Sequence, residues 1–299
     1  MIVVLKRQQI NSCDWDNFIE STPQRTVYAM SWFLDLIPQE WGAVVELDSR
    51  GNFIAALPFQ TKKKYGFTKI EQDAFTNELG IYSLKSSHPT LLIEVFFKKF
   101  KFISRYYFNT YNQIDILNAL PFETTYLLDL NRSYEMIQKS YSTNRHRNLK
   151  KAQNESQSII ESTAIDDLIL TFKNHISPKI DGISDYQYQL IKSVYTAASN
   201  KKKGFILQVK NESGELLSSA FFLQSFNRLI YFFAASTPKG LSSNSPTLLI
   251  DYVIQKFANT DTVLDFEGGS IESIGKFYSS FGASSVKIYS YRKMWGKKK

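Results

Sequence analysis

Two carboxylates near the C-terminus have the spacing expected of residues that share one face of a strand. Asp265 and Glu267 alternate with Leu264 and Phe266, and the segment 268–270 that follows reads GGS. Side chains alternate between the two faces of a strand, so both carboxylates fall on the same face. A carboxylate there can assist deprotonation of an amine, which acyl transfer to that amine requires. Glu267 is a candidate catalytic residue, although a structural role explains it equally well. For Asp265 we favour a structural role, as the partner of a lysine or as a helix cap.

A short helix predicted just after these glycines carries two residues that could stabilise negative charge. Lys276 and Tyr278 could each donate a hydrogen bond to the oxyanion formed when a carbonyl is attacked, so we take both as candidate catalytic residues. Ser270 is a candidate substrate-binding residue; alternatively, it only caps this helix. Phe277 and Phe281 are one helical turn apart and are predicted to lie in the core.

The densest basic segment is 144–152, which reads NRHRNLKKA. Its cations could bind a phosphate of a nucleotide-linked substrate or of tRNA, or could form a charged helix face that packs its stems on a sheet. The candidate phosphate-binding residues are Arg145, Arg147, Lys150 and Lys151. Ser236 ends a predicted strand, and the loop after it is rich in small residues and leads into a helix N-terminus, which suits an anion. Ser236 is therefore also a candidate substrate-binding residue.

Other catalytic chemistries find little support in the sequence. His146 and His175 have no carboxylate at a spacing typical of a catalytic pair, and the single cysteine, Cys13, excludes an internal disulfide. No metal-binding motif or nucleophilic-serine motif occurs, so we expect no metal site and no tightly bound cofactor. The net charge of +8 favours an anionic partner and is compatible with peripheral membrane contact, although the tail Lys297–Lys299 supplies three of these charges. No apolar run is long enough to span a bilayer, so we expect a soluble, cytoplasmic protein.

The sequence contains an internal repeat. From Pro89 it reads PTLLIEVFFKKF, and from Pro246 it reads PTLLIDYVIQKF. The segments 44–59 and 207–222 each read as a strand, a polar turn with glycine and a second strand, which is typical of a hairpin. Proline suits the first turn of a helix, and Ser245 is expected to cap the second of these helices. The order hairpin, strand, helix, strand therefore occurs twice, which indicates a duplicated α/β protein with mixed sheets.

The repeat predicts two domains, residues 1–125 and 126–299, with the candidate active site in the second. Further strands are predicted at the N-terminus and at 125–130, 229–236, 262–267 and 286–294. Further helices are predicted at 14–20, 31–36, 133–141, 166–176, 185–199 and 271–280. The acyl-transfer candidates Glu267, Lys276 and Tyr278 follow the last strand–helix repeat, and the first copy has no counterpart of their motifs.

Three segments of the second half resemble motifs of the Fem family of peptidyltransferase-like proteins and of related GNAT acyltransferases. They are the basic segment 144–152, LDFEGGS at 264–270 and IGKFYSSFGA at 274–283. The resemblance implies a tandem GNAT fold. It also implies transfer of an acyl or aminoacyl group, from acyl-CoA or aminoacyl-tRNA, to an amine, as Fem proteins do to peptidoglycan precursors. Tyr278 stands where the family usually has a lysine, and the pyrophosphate loop of CoA-binding GNAT enzymes is absent. The alternative is a protein that has lost acyl transfer and only binds an anionic ligand.

Overall fold

The computed structural model describes residues 1–64, 66–85, 87–112, 114–179 and 183–293. The tail Lys297–Lys299 lies outside these residues, as does the last position of the strand predicted at 286–294. The chain divides into two units. Unit 1 comprises Met1–Thr124 and the described part of Lys287–Lys299, and unit 2 comprises Thr125–Val286. The predicted boundary at residue 125 lies beside this division, whereas the C-terminal strand, which we placed in the second domain, groups with unit 1.

The described strands, in chain order, are β1 Ile2–Lys6, β2 Glu40–Leu47, β3 Phe53–Lys64, β4 Phe67–Glu71, β5 Tyr82–Ser83, β6 Ile103–Tyr107, β7 Phe122–Asp129, β8 Gln157–Ser162, β9 Gly204–Asn211, β10 Leu216–Ser225, β11 Arg228–Ser236, β12 Val263–Asp265 and β13 Ser284–Lys293. The described α-helices are α1 Ser12–Ser21, α2 Ser31–Leu34, α3 Pro89–Lys99, α4 Tyr134–Gln138, α5 Thr143–Asn154, α6 Ile165–His175, α7 Asp185–Asn200, α8 Pro238–Ser242, α9 Ser245–Phe257 and α10 Glu272–Ser279. Short 3-10 helices cover Arg7–Gln9, Val27–Ala29, Asp115–Ala119 and Ser177–Lys179.

The two units have sheets with the same order of pairings. In unit 1 the strands follow one another as β1-β2-β3-β4-β6-β13, and β4 and β6 are the parallel pair. In unit 2 the order is β8-β9-β10-β11-β12-β7, and β11 and β12 are the parallel pair. Each parallel pair is joined by a helix that begins with the repeated proline segment, α3 or α9. The predicted α/β class with mixed sheets is confirmed, and the matching pairings favour the predicted duplication.

The sheet of unit 2 is covered on both faces. One face carries Leu207, Val209 and Phe222, which belong to one buried cluster with Leu249 and Val253 of α9. The alternate residues of the same strands face α6 and α7, where Phe233 packs 4.5 Å from the ring of Phe172. These apolar contacts bury both faces of β9, β10 and β11, so these strands are rich in apolar residues.

Most predicted elements are confirmed, including both hairpins and both proline-initiated helices. One capping prediction is wrong. Ser245 is the first residue of α9, and the N-cap is Asn244, whose φ of 58° is left-handed. The Ser245 hydroxyl instead donates to Oε1 of Gln157 at 2.5 Å. The strand predicted at 262–267 is shorter, because β12 ends at Asp265 and the chain then turns.

Candidate functional site in unit 2

The two parallel strands of unit 2 diverge at the point where the sequence placed the carboxylates. Pairing joins Arg228 to Val263, Leu229 to Leu264 and Ile230 to Asp265, and then stops. Strand β11 continues for six residues to Ser236. Among the described residues no strand pairs with this part of β11 on the side away from β10. A strand edge that is not paired with another strand can bind an extended ligand that carries amide groups.

The turn after β12 has an unusual backbone. Glu267, Gly268 and Gly269 have φ values of 46°, 63° and 111°, all in the range that favours glycine. For glutamate this conformation is strained, and such strain is held only where surrounding contacts require it. Asp265 provides one contact, because its Oδ1 accepts the Glu267 backbone N–H at 3.1 Å. The half-buried Glu267 is thus fixed at the mouth of the gap between the strands.

Asp265 is structural, as we favoured, but its partner is an arginine. Its Oδ2 accepts Nη1 of Arg228 at 3.1 Å, and both side chains are buried. Thr125 donates to Oδ1 at 3.2 Å. The ion pair joins the first residue of β11 to the last residue of β12. It therefore holds the strands together immediately before they separate.

Four aromatic rings fill the base of the gap: Tyr126, Tyr231, Phe266 and Tyr278, here called the aromatic cluster. Tyr278 of α10 stacks on Phe266, with ring centroids 4.6 Å apart. Tyr231 is the first residue of β11 beyond the paired region, and its ring is nearly perpendicular to that of Tyr278 at 6.4 Å. Tyr126 lies 6.2 Å from Tyr278. Three of the four rings are phenols, and those of Tyr231 and Tyr278 lie close together where β11 and β12 separate.

The phenol groups of Tyr231 and Tyr278 are neutral hydrogen-bond donors at ordinary pH. Burial raises the pKa of the Tyr278 hydroxyl well above its usual value, and the carboxylates of Glu267 and Asp265 raise it further. Burial and the proximity of Tyr278 likewise raise the pKa of Tyr231. Neither hydroxyl has a hydrogen-bond partner among the described residues. A half-buried phenol whose hydroxyl has no partner among the described residues can donate to a carbonyl oxygen or oxyanion of a ligand.

Helix α10 presents Tyr278 to the cluster and turns Lys276 away from it. Gly275 allows the close approach, because a Cβ there would lie 2.8 Å from both the Gly269 carbonyl oxygen and the Tyr126 hydroxyl. Lys276 lies on the exposed side of the helix and pairs with Glu272 at 2.5 Å. Positions two apart on a helix point in different directions. The structure therefore places Tyr278 in the aromatic cluster near Glu267 and Lys276 on the exposed side of α10.

Arg145, which we expected to bind a phosphate, is instead part of the core. Its side chain is 4% exposed, and the guanidinium lies 4.4 Å from the ring centroids of both Phe277 and Phe281. Nε donates to Ser280 Oγ at 2.9 Å, and Nη1 donates to Thr247 Oγ1. Burial lowers the pKa of Arg145 to about 10. This cation joins α5 to α9 and α10 and helps to fix the helix that carries Tyr278.

Unit 2 also contains a buried carboxylate, that of Asp251. Asp251 of α9 is 4% exposed and accepts hydrogen bonds from the hydroxyls of Tyr134 at 3.0 Å and Tyr141 at 2.9 Å. Burial raises its pKa, while the two phenols and the nearby His146 oppose that effect. This network ties α4 to α9. His146, for which we predicted no catalytic role, therefore lies near the Asp251 carboxylate and not in the gap between β11 and β12.

The remaining predicted binding residues lie at the surface or at the end of β11. On α5, Arg147, Lys150 and Lys151 are exposed; Arg147 donates to Asn144 of its own helix, and Lys151 donates to the Ser242 carbonyl at 3.1 Å. They form the exposed basic face of α5, beside the α8–α9 connection. Ser236 is half-buried, with its hydroxyl 2.8 Å from that of Ser218. Ser270 is exposed on the turn before α10.

The corresponding gap of unit 1 is closed. There the parallel pairing of β4 and β6 ends at Glu71 and Arg105, and the next segment, 72–82, packs into the space. Asn112 exchanges two hydrogen bonds with the backbone of Ile81, each 2.8 Å long. Gly80 makes this fit possible: its φ is 76°, and a Cβ would lie 2.1 Å from Asn112 Oδ1. The open strand edge with free phenols is thus a feature of unit 2.

Two other features were searched for in the described part of the chain. No group of three or more His, Cys, Asp or Glu side chains there is arranged to hold a metal ion. No helix in that part combines the length and apolar character required to cross a bilayer.

Comparison with solved structures identifies the fold. FemX superposes with a TM-score of 0.66 over 95% of this chain and 96% of its own, at 12% identity. The chain has the fold of FemX. A conserved protein of unknown function from Bacteroides thetaiotaomicron gives 0.62 at 11% identity, covering 98% of this chain and all of that one. L-PGS from Bacillus licheniformis gives 0.55 at 13% identity, covering 96% and 93%. The predicted likeness to Fem-type and GNAT proteins is confirmed as a likeness of fold. No family model and no curated protein matches the sequence.

Three residues that shape the site escaped the sequence interpretation: Arg228, Tyr126 and Tyr231. They lie on strands, where tyrosine is common and where no local spacing marks them. They meet Asp265 and Tyr278 only because β11, β12 and β7 become neighbours in the sheet. Of the three, only Arg228 could have been noticed in the sequence. It is a charged residue at the start of an apolar strand, and a buried charge requires a partner.

Proposed function

We propose that the protein is an acyltransferase that transfers an activated acyl or aminoacyl group to an amine, with its active site in the gap of unit 2. The observation that carries the proposal is the Tyr278 hydroxyl, which is protonated, has no partner among the described residues and lies near Tyr231 of β11. An extended donor would bind through backbone hydrogen bonds to the edge of that strand. Tyr278 would then donate a hydrogen bond to the carbonyl oxygen as negative charge develops there.

The roles of the other residues follow from their positions. Glu267, held at the mouth of the gap, accepts a proton from the attacking ammonium or from a water beside it. The neutral amine attacks the acyl carbon, and Tyr278 stabilises the tetrahedral oxyanion. The carbonyl then re-forms as the bond to the donor's leaving oxygen or sulfur breaks, and a proton from the attacking nitrogen passes to that leaving atom. No residue forms a covalent intermediate, so positioning and oxyanion stabilisation supply the catalysis. Tyr231, whose hydroxyl also has no partner among the described residues, could assist in binding the donor.

The exposed basic face of α5, with Lys150 and Lys151, supports a donor that carries phosphates. Acyl-CoA and aminoacyl-tRNA both meet this requirement, and they differ in size and in charge. The fold shared with FemX makes the amine of a peptidoglycan precursor the first acceptor to test. In this proposal the two units are duplicated GNAT-like domains, and the first, whose gap is closed, provides a scaffold or binds the acceptor.

A transfer assay with a panel of acyl-CoA and aminoacyl-tRNA donors tests the proposal. Tyr278→Phe removes only the donor hydroxyl and is expected to lower kcat about 100-fold with little change in KM, the loss typical of one oxyanion-hole donor. Glu267→Gln is expected to lower kcat at neutral pH by a similar factor. The matched control is Tyr252→Phe, a tyrosine on α9 that is 37% exposed.

The outcomes separate this proposal from a protein that only binds its ligand. A donor that raises the melting temperature but is never consumed with any amine favours the binding protein. Transfer at an unchanged rate in Tyr278→Phe would refute the assignment of the site, whatever the donor.

A further inference from the structure

Two lysine-rich segments of unit 1 meet at one end of its sheet. Residues 61–71 and 97–102 together contain seven lysines and one acidic residue. The first segment covers the end of β3 and all of β4, and the second covers the end of α3 and the residues that follow it. The ring of Phe67 lies 6.3 Å from that of Phe102, and the Ile70 backbone N–H donates to the Phe102 carbonyl at 2.9 Å. We call this surface the lysine end of unit 1.

Most of its positive charge is not neutralised. Lys62 and Lys69 share the carboxylate of Glu71. Lys63 lies 3.7 Å from Glu40, with both side chains largely exposed. Three further lysines have no acidic partner among the residues that the structure describes, and all three are exposed: Lys98, Lys99 and Lys101. Exposed ion pairs contribute little and are easily exchanged, so the lysine end keeps a strong positive potential.

An apolar side chain, that of Phe67, protrudes among these lysines. Phe67 is 60% exposed at the start of β4, among the described residues one of the most exposed large apolar side chains. Its neighbour Thr68 lies in the wall of a cleft of about 410 Å³, which Lys63 and Lys99 line together with the carboxylates Asp35 and Glu40; Phe67 itself does not line this cleft. A protruding aromatic ring surrounded by lysines is the combination that binds the headgroup region of an anionic bilayer, where the ring enters the apolar boundary and the ammonium groups remain with the phosphates.

We propose that the lysine end of unit 1 docks on a membrane that contains anionic phospholipid. Two observations favour a bilayer over RNA. The two segments contain lysine and no arginine, although arginine is the usual reader of nucleic acid. Phe67 and Phe102 pack at a tilt of 62°, which makes a wedge rather than a flat platform on which bases stack. The proposal does not depend on acyl transfer in unit 2.

Vesicle flotation tests the proposal with the full-length protein. The protein should bind vesicles of phosphatidylcholine with phosphatidylglycerol and should not bind phosphatidylcholine alone. Phe67→Ser should weaken binding about tenfold, the effect expected for an exposed phenyl ring that leaves water. The matched control is Leu170→Ser on α6, whose leucine is 58% exposed.

Reversing the charge of two lysines provides a second test of the proposal. Lys98→Glu with Lys99→Glu should reduce vesicle binding at least about tenfold, since each juxtamembrane lysine contributes appreciably to attraction by an anionic surface. The control with the same change in net charge is Lys139→Glu with Lys210→Glu, in unit 2, which should bind at least three times as well as the first double variant. Circular dichroism confirms that each variant is folded.

Three results would overturn the proposal. They are an absence of binding to anionic vesicles, unchanged binding by Phe67→Ser, and equal losses in the two double variants. Binding of a single-stranded RNA oligonucleotide that requires Phe67 and Lys98, without vesicle binding, would assign the surface to RNA. Tyr278→Phe should keep vesicle binding and Phe67→Ser should keep transfer to a soluble amine, so the failure of one proposal can be told from that of the other.

Discussion

Arg145 allows a sharp test of the core of unit 2, because replacement by methionine should be tolerated better than replacement by lysine. Its pKa falls from 12.5 to about 10. One pKa unit corresponds to about 1.4 kcal/mol, so burial of the charge costs about 3 kcal/mol. Two kinds of contact offset this cost. The guanidinium gains about 2 kcal/mol from each of two desolvated aromatic rings at 4.4 Å, and about 3 kcal/mol from its two hydrogen bonds together.

The two replacements remove different parts of this balance. Methionine loses the ring and hydroxyl interactions, about 7 kcal/mol, but recovers the burial cost of about 3 kcal/mol and gains about 2 kcal/mol from sulfur–aromatic contacts. The expected net loss is about 2 kcal/mol. Lysine keeps a buried charge that is hydrated more strongly than a guanidinium and cannot reach both hydroxyls, so it should lose about 3–4 kcal/mol.

Equilibrium urea unfolding, followed by far-UV circular dichroism, measures both losses. If the lysine variant is as stable as the methionine variant or more stable, the account of Arg145 as a buried anchor of α10 fails. If Arg145→Met leaves stability unchanged and abolishes the affinity for an anionic donor, the phosphate-binding role expected from the sequence is correct instead.

Other predictions concern single contacts. Arg228→Met should lower the free energy of unfolding by about 3–5 kcal/mol, because it leaves Asp265 charged and buried; a loss below about 1 kcal/mol in urea unfolding would contradict this. Gly80→Ala should cost more than about 2 kcal/mol, since a left-handed backbone and a clash with Asn112 both oppose the methyl group; a wild-type melting temperature would show that the gap of unit 1 is not tightly closed. Asp251 has a raised pKa, so the folded state binds its proton more tightly than the unfolded state does. As pH rises from about 4, through the raised pKa, wild-type stability should therefore fall relative to Asp251→Asn, and parallel stability curves would refute the assignment.

The fold was largely predictable from the sequence because its signals are local. Hairpins were marked by a glycine turn between apolar strands, and α3 and α9 by proline at the first turn. The place of the C-terminal strand was not predictable in this way. Its pairing with β6 is formed by residues 106 and 291, whose separation in sequence leaves no local trace.

Part of the candidate site can be read from the sequence. Glu267 and Tyr278 are candidates because they lie in one short segment whose motif marks the end of a strand and the start of a helix. Arg145 was a candidate because it lies in the densest basic segment, and Lys276 because it lies on the same short helix as Tyr278. The side of the helix on which each residue lies distinguishes the two, because Arg145 faces inward on α5 whereas Lys276 faces outward on α10. Tyr231 was missed because its role arises only where β11 loses its partner strand.

Hydrogen exchange at β11 tests the central claim most directly. Strand β11 pairs with β10 on one side, and the amides of residues 234–236 that do not bond to β10 should exchange rapidly in the free protein. Saturation with a donor that raises the melting temperature should slow exchange at these amides. The Tyr278→Phe variant should show the same protection, because its loss lies in the chemical step. A donor that stabilises the protein while these amides exchange as before would contradict an acyl-donor site in unit 2.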